Sequence, residues 1–144
     1  MLKPLLECGV NRRNIDVLQI GTKYDYKLFK LIPIKLYHDV PQCGYRILFD
    51  DYKVLYATDT RTLEGITAKN YDLYLIEGNY EDEELEERIR EKQQVQQYCY
   101  EYRVKDTHLS KGQAVDFLLQ NMGDNSEYVF MHEHIERGKN EKSI

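Results

Sequence analysis

The stretch from Tyr37 to Thr60 constrains this chain more than any other. Gly44 opens an apolar run, Tyr45-Arg46-Ile47-Leu48-Phe49, Asp50-Asp51 supplies turn residues, and Tyr52 to Tyr56 returns with β-branched and aromatic side chains. That pattern specifies a β-hairpin. His38 stands before it, and Asp59 stands just after it in Ala57-Thr58-Asp59-Thr60, where small polar residues turn a strand into a loop. If the hairpin pairs this way, His38 and Asp59 emerge near one sheet edge. A neutral imidazole and a carboxylate there make half of a metal site. The alternatives are local: Asp59 as an N-cap for the residues after Thr60, and His38 in a turn with Asp39 ahead of Pro41.

The rest of the chain alternates strands and helices. Ile15 to Ile20 alternates as a half-buried strand does, and Leu28 to Tyr37 reads as a long strand with Pro33 marking an edge or bulge. Arg61 to Lys69 is a short helix or irregular loop, its helical reading weakened by Gly65. Tyr71 to Ile76 is apolar enough for a strand buried on both faces. Glu81 to about Arg103 predicts the longest helix, with acids in its first turns, cations later, and Glu84–Arg88 and Glu86–Arg90 at i,i+4 spacing. Its charge run is read as a solvated face. Ser110 caps a second helix, Lys111 to Met122, with Val115, Leu118 and Leu119 as the buried stripe and Gly123 as its end. Glu127 to Met131 is the final strand, and Gly138 to Ile144 a polar tail.

With 144 residues, the chain suffices for one domain with a sizeable core. A net charge of −5 argues against nucleic-acid attraction through charge alone. The cysteines Cys8, Cys43 and Cys99 are odd in number and lack CxxC spacing, which points to reduced thiols and a cytoplasmic protein. No apolar segment approaches the ~18–20 residues of a membrane span, and no signal-peptide pattern opens the chain, so no membrane partner is expected.

His38-Asp39-x-Pro41-x-x-Gly44-Tyr45-Arg46-Ile47, the hairpin and Ala57-Thr58-Asp59-Thr60 resemble the middle of a metallo-β-lactamase-fold hydrolase. The resemblance is greatest to the ribonuclease Z-like branch and its bacterial and phage relatives. It continues in order through Tyr71 to Tyr80, His108-Leu109-Ser110-x-x-Gln113-Ala114 and Val129-Phe130-Met131-His132. The early Pro4 to Gly9 stretch is similar to a family strand ending in an acid-Cys-Gly turn. The His-x-His-x-Asp-His run that supplies four of the family's ligands is absent, consistent with an internal deletion between about Asn11 and Ile15. The resemblance implies an α/β fold, a single truncated domain over residues 1–144 forming mainly the second half of an αββα sandwich. An edge or apolar face is then left bare where the first half would pack, inviting a homodimer or a complementing chain.

The resemblance also implies roles. His38 binds one metal, Asp59 bridges two, and His132 binds the second; Zn²⁺ or Mn²⁺ is the expected ion. A shared carboxylate offsets the repulsion between paired cations and fixes their spacing. His108 would give a proton to a leaving group, or else is a neutral histidine ahead of a helix. Glu77 is expected to be supporting or structural, and His134 a substitute ligand or a bystander. Two functions follow. One is a metal-dependent phosphodiesterase of nuclease type, impaired by the missing run, acting on a nucleic acid or nucleotide. The other is a catalytically silent remnant or interaction module. A third reading, a small nucleic-acid binder, requires Arg12, Arg13, Lys23, Lys27 and Lys30 on one face.

Overall fold

A computed structural model describes residues 2–133. Six strands form one sheet in sequential order: β1 (Tyr24–Asp25), β2 (Lys30–Lys35), β3 (Cys43–Leu48), β4 (Lys53–Ala57), β5 (Leu73–Glu77) and β6 (Glu127–Met131). The helices are α1 (Leu2–Glu7), α2 (Asp82–Gln94), α3 (Glu101–Thr107) and α4 (Lys111–Asn121). The hairpin forms as read, with Tyr45 opposite Tyr56 and Ile47 opposite Val54. Its turn is closed by the Phe49 N–H donating to the Tyr52 carbonyl at 2.8 Å. Gly44 permits the close approach of β3 and β4, since a Cβ there would lie 2.5 Å from the Tyr56 carbonyl oxygen.

Strand direction determines where the chain's polar residues collect. β2 and β4 are each antiparallel to β3 and therefore run the same way; β4, β5 and β6 are mutually parallel. Four strands thus end at one edge of the sheet. In open α/β sheets that edge, beyond the carboxyl ends, is where ligands bind.

α4 lies against β5 and covers one sheet face. The main apolar core forms there from Leu55, Ala57, Tyr74 and Ile76 of the sheet and Ala114, Phe117 and Leu118 of the helix. Tyr74 is fully buried, and its hydroxyl contacts the Ala68 carbonyl at 2.6 Å while accepting the Tyr71 N–H at 3.1 Å. Asn121 ties the same loop to α4, its side-chain oxygen taking the Ala68 N–H at 2.9 Å. A smaller cluster, Tyr80, Leu85, Ile89 and Val104, joins α2 to α3.

Alternate residues point to opposite faces of a strand. On the second face, neither apolar cluster among the described residues takes in Tyr45, Ile47, Tyr56, Leu73, Leu75 or Val129. Val129 is 48% exposed. The first face is therefore packed under α4, while the second is only partly covered: Pro33 and Val54 are buried on it, and Leu73 and Leu75 are half-buried.

Several expectations need correction. Tyr71 to Ile76 is not fully buried on both faces: Tyr74 and Ile76 are enclosed, but Leu73 and Leu75 on the second face stay half-buried. Ile15 to Ile20 is not a strand, having no partner to complete its ladder, and Val17 and Ile20 are exposed. The Pro4 to Gly9 segment is helical through Glu7 rather than a strand. Residues 61–69 form an irregular loop. The long helix divides, because Gln96 adopts a left-handed backbone (φ 51°) and lets α3 turn back so that Val104 meets Leu85 and Ile89. On α4 the buried stripe is Ala114, Phe117, Leu118 and Asn121, whereas Val115 and Leu119 face outward. Pro33 lies within β2 beyond the reach of two-residue β1, so its missing N–H interrupts no ladder on that side.

Candidate metal centre

Four strand ends deliver the site. His38 follows β2, Asp59 follows β4, Glu77 closes β5, and His132 follows β6. His108 comes from the turn before α4. That turn is zipped beside the segment after β5 by the Asn79 N–H donating to the Leu109 carbonyl at 2.9 Å, and by a bridge between Tyr80 and Ser110. Ser110 then starts α4 with a capping box, its hydroxyl accepting the Gln113 N–H while the Gln113 side chain accepts the Ser110 N–H. A capped helix start fixes the approach of His108.

The side chains converge closely. His132 Nδ1 lies 2.6 Å from Asp59 Oδ1 and 3.3 Å from Glu77 Oε1. His108 Nδ1 lies 2.6 Å from Glu77 Oε1 and 4.0 Å from Asp59 Oδ1. Asp59, Glu77, His108 and His132 each offer a ligating atom, all within 4.8 Å of one another. His38 stands outside that group but beside it, its ring 4.9 Å from that of His108 and tilted by 66°. The expected partners Asp59 and His132 are thus in contact, and His38 is one imidazole away. His134 lies outside the described residues, as does the tail beyond Gly138.

Glu77, expected to be supporting or structural, lies against the rings of both His108 and His132. It is fully buried, and its second oxygen takes the Thr60 N–H at 2.7 Å. A buried carboxylate is retained only where it is paired and hydrogen-bonded. Its sequence signal was its place at the end of an apolar strand ahead of Gly78. Backbone strain marks the same spot: Asp59 (φ 55°) and His132 (φ 58°) are both left-handed. Such conformations cost free energy and persist where surrounding contacts impose them. The Asn79 amide helps to hold one of them by donating to the His132 carbonyl at 2.8 Å.

The donor set suits a borderline divalent cation: imidazole nitrogens and carboxylate oxygens, with two acids brought together and needing a counter-charge. His38 adds a second indication, since its Nε2 is buried with no hydrogen-bond partner among the described residues. Its Nδ1 lies 2.7 Å from Asp39 Oδ1. Hydrogen bonding from Arg103 holds the Asp39 carboxyl below the usual carboxylate range, more than offsetting its partial desolvation.

No family model matches the sequence, and no curated protein matches it. Solved structures do. The metallo-β-lactamase fold protein YhfI from Bacillus subtilis superposes with a TM-score of 0.58 at 17% identity, over 83% of this chain and 43% of that one. The short form of human tRNase Z superposes with a TM-score of 0.50 at 15% identity, over 76% of this chain and 38% of that one. The chain spans less than half the length of either structure. At these identities the likeness is one of architecture, and what it establishes is that this chain has part of the metallo-β-lactamase fold.

Proposed function

We propose that the chain is a metal-dependent hydrolase of phosphodiesters, with Asp59 and His132 as ligands and His38 as the neighbouring third. The observation that carries this reading is the meeting of Asp59, Glu77, His108 and His132 at the common end of co-directional strands. A Zn²⁺ or Mn²⁺ ion held there would supply Lewis-acid stabilisation of the charge that builds on a phosphoryl group. The likeness to a tRNase Z supports a nucleic acid or nucleotide as the substrate. A reduced, cytoplasmic setting agrees with the free cysteines Cys8, Cys43 and Cys99.

The chain's own residues divide the remaining work. Glu77, fixed by the Thr60 N–H, takes the Nδ1 proton of His108 in a hydrogen bond and orients the ring. His108 Nε2 can then carry a proton to a leaving-group oxygen, with the buried carboxylate stabilising the imidazolium before transfer. Asp59 Oδ1 and His132 Nδ1 lie 2.6 Å apart, so the two residues would offer neighbouring donor atoms to a cation held there.

Metal content by mass spectrometry and hydrolysis of a generic phosphate bis-ester test the reading together. Wild-type protein is expected to retain divalent metal and turn over the ester. Asp59→Ala and His132→Ala should lose both properties, whereas His108→Ala should keep the metal and lose about 10²–10⁴-fold in rate. Protein that takes up no divalent ion and leaves the ester intact would instead be a silent module keeping only the fold.

A further inference from the structure

The two outer strands of the sheet are unlike. β1 has two residues, whereas β6 offers five, Glu127–Met131, with no proline, no lysine and a single acid at its start. Edge strands are ordinarily blunted by shortness, charge or proline. β6 carries none of these along its middle, where Tyr128 and Val129 are 49% and 48% exposed.

The β5 ladder determines which backbone groups β6 leaves over. The Glu127 N–H donates to the Asp72 carbonyl at 2.8 Å, and the Met131 carbonyl accepts the Gly78 N–H at 3.2 Å. Backbone direction alternates along a strand, so Glu127, Val129 and Met131 turn their N–H and C=O toward β5. Tyr128 and Phe130 turn theirs outward, past the last strand of the sheet. Both N–H groups and both carbonyls stand at that edge with no strand to receive them among the described residues.

A second copy of the same strand answers all of them. With a twofold axis through Val129, an antiparallel register sets Tyr128 opposite the partner's Phe130. Such a pair exchanges both N–H···O=C bonds, and symmetry supplies the pair twice. Tyrosine facing phenylalanine is a favourable cross-strand pair, and Glu127 falls opposite methionine, so no like charges meet. Moving the axis to Phe130 would set Glu127 against the partner's Glu133, a repulsive pair. Moving it to Tyr128 would leave Phe130 and Met131 beyond the end of the facing strand. One register meets the demands of backbone, charge and length together.

We propose that β6 is a self-complementary edge through which two copies of this chain join, antiparallel about Val129, into one continuous sheet. No metal-ligating side chain takes part, so the pairing stands independently of the proposed hydrolase chemistry.

Hydrogen exchange of the full chain, resolved at single amides and run beside analytical sedimentation, tests the pairing. As concentration rises, the sedimenting mass should move from 17.2 kDa toward twice that value. Exchange at Tyr128 and Phe130 should slow in step, while Val129 and Met131 stay protected throughout. Tyr128→Pro deletes an outward N–H without touching the β5 ladder, a change that an edge strand tolerates. It should abolish the dimer, whereas Tyr128→Phe, which keeps the N–H, should dimerise as wild type does. A wild-type monomer at every concentration overturns the proposal, as does a Tyr128→Pro dimer as tight as wild type. A dimer whose Tyr128 and Phe130 amides exchange freely overturns it too, moving association to the second sheet face. Protection of both amides at all concentrations would assign the edge to another segment of the same chain and overturn it equally.

Discussion

Single residues in this chain do the most where the backbone leaves no slack. Tyr74→Phe removes one oxygen from a fully buried site, leaving the Ala68 carbonyl and the Tyr71 N–H without their partner. A loss of about 1–3 kcal/mol is expected from urea unfolding. Gly44→Ala drives a methyl against a backbone oxygen rather than a flexible side chain. It should cost about 1–3 kcal/mol by the same measurement. Asp59 and His132 were legible as candidates because strand ends and polar punctuation surround them. Glu77 was legible only as a supporting or structural acid, since its partners, the Thr60 N–H and the His108 ring, lie far from it along the chain.

At the scale of elements, local pattern and tertiary demand diverged over residues 81–107. The charge spacing there favours one continuous helix, yet the core needs Val104 folded back onto Tyr80, Leu85 and Ile89, and tertiary packing prevailed. Glu86 shows the same redirection. Its carboxylate pairs with Lys105 of α3 at 3.2 Å, while Arg90 turns to the Glu86 backbone carbonyl. The fold-back is fastened by Glu101, a buried acid 2.5 Å from Lys92. Burial pushes its carboxyl up, but hydrogen bonds from Lys92 and from its own backbone outweigh that and leave it below the ordinary value. A folded-state value below the unfolded one, about 4.3, means the contribution is present above that pH and lost as pH falls through the folded value. Hydrogen exchange over residues 101–107 should therefore quicken below about pH 4. In Glu101→Gln that acid-dependent step should disappear.

The whole molecule is a sheet covered by α4 on one face and only partly covered on the other. Its hairpin was readable from alternation and turn residues, whereas the order of the six strands was not. The partial cover of the second face was not legible, because a run such as Leu73 to Ile76 looks the same whether one face or both are covered. Exposed apolar sheet surface invites association. Wild-type protein is expected to sediment faster as its concentration rises through the micromolar range, and Val129→Lys should suppress that dependence.

The polar edge has a different consequence. Its contributors lie far apart along the chain, from His38 to His132, and only folding gathers them. A denatured chain offers a divalent ion isolated, competing contacts in place of a shared cage. Heat tolerance should therefore climb with added zinc: at a hundredfold excess over the dissociation constant, mass action alone adds about 2.7 kcal/mol. A calorimetric scan would thus register occupancy with no substrate in the cell.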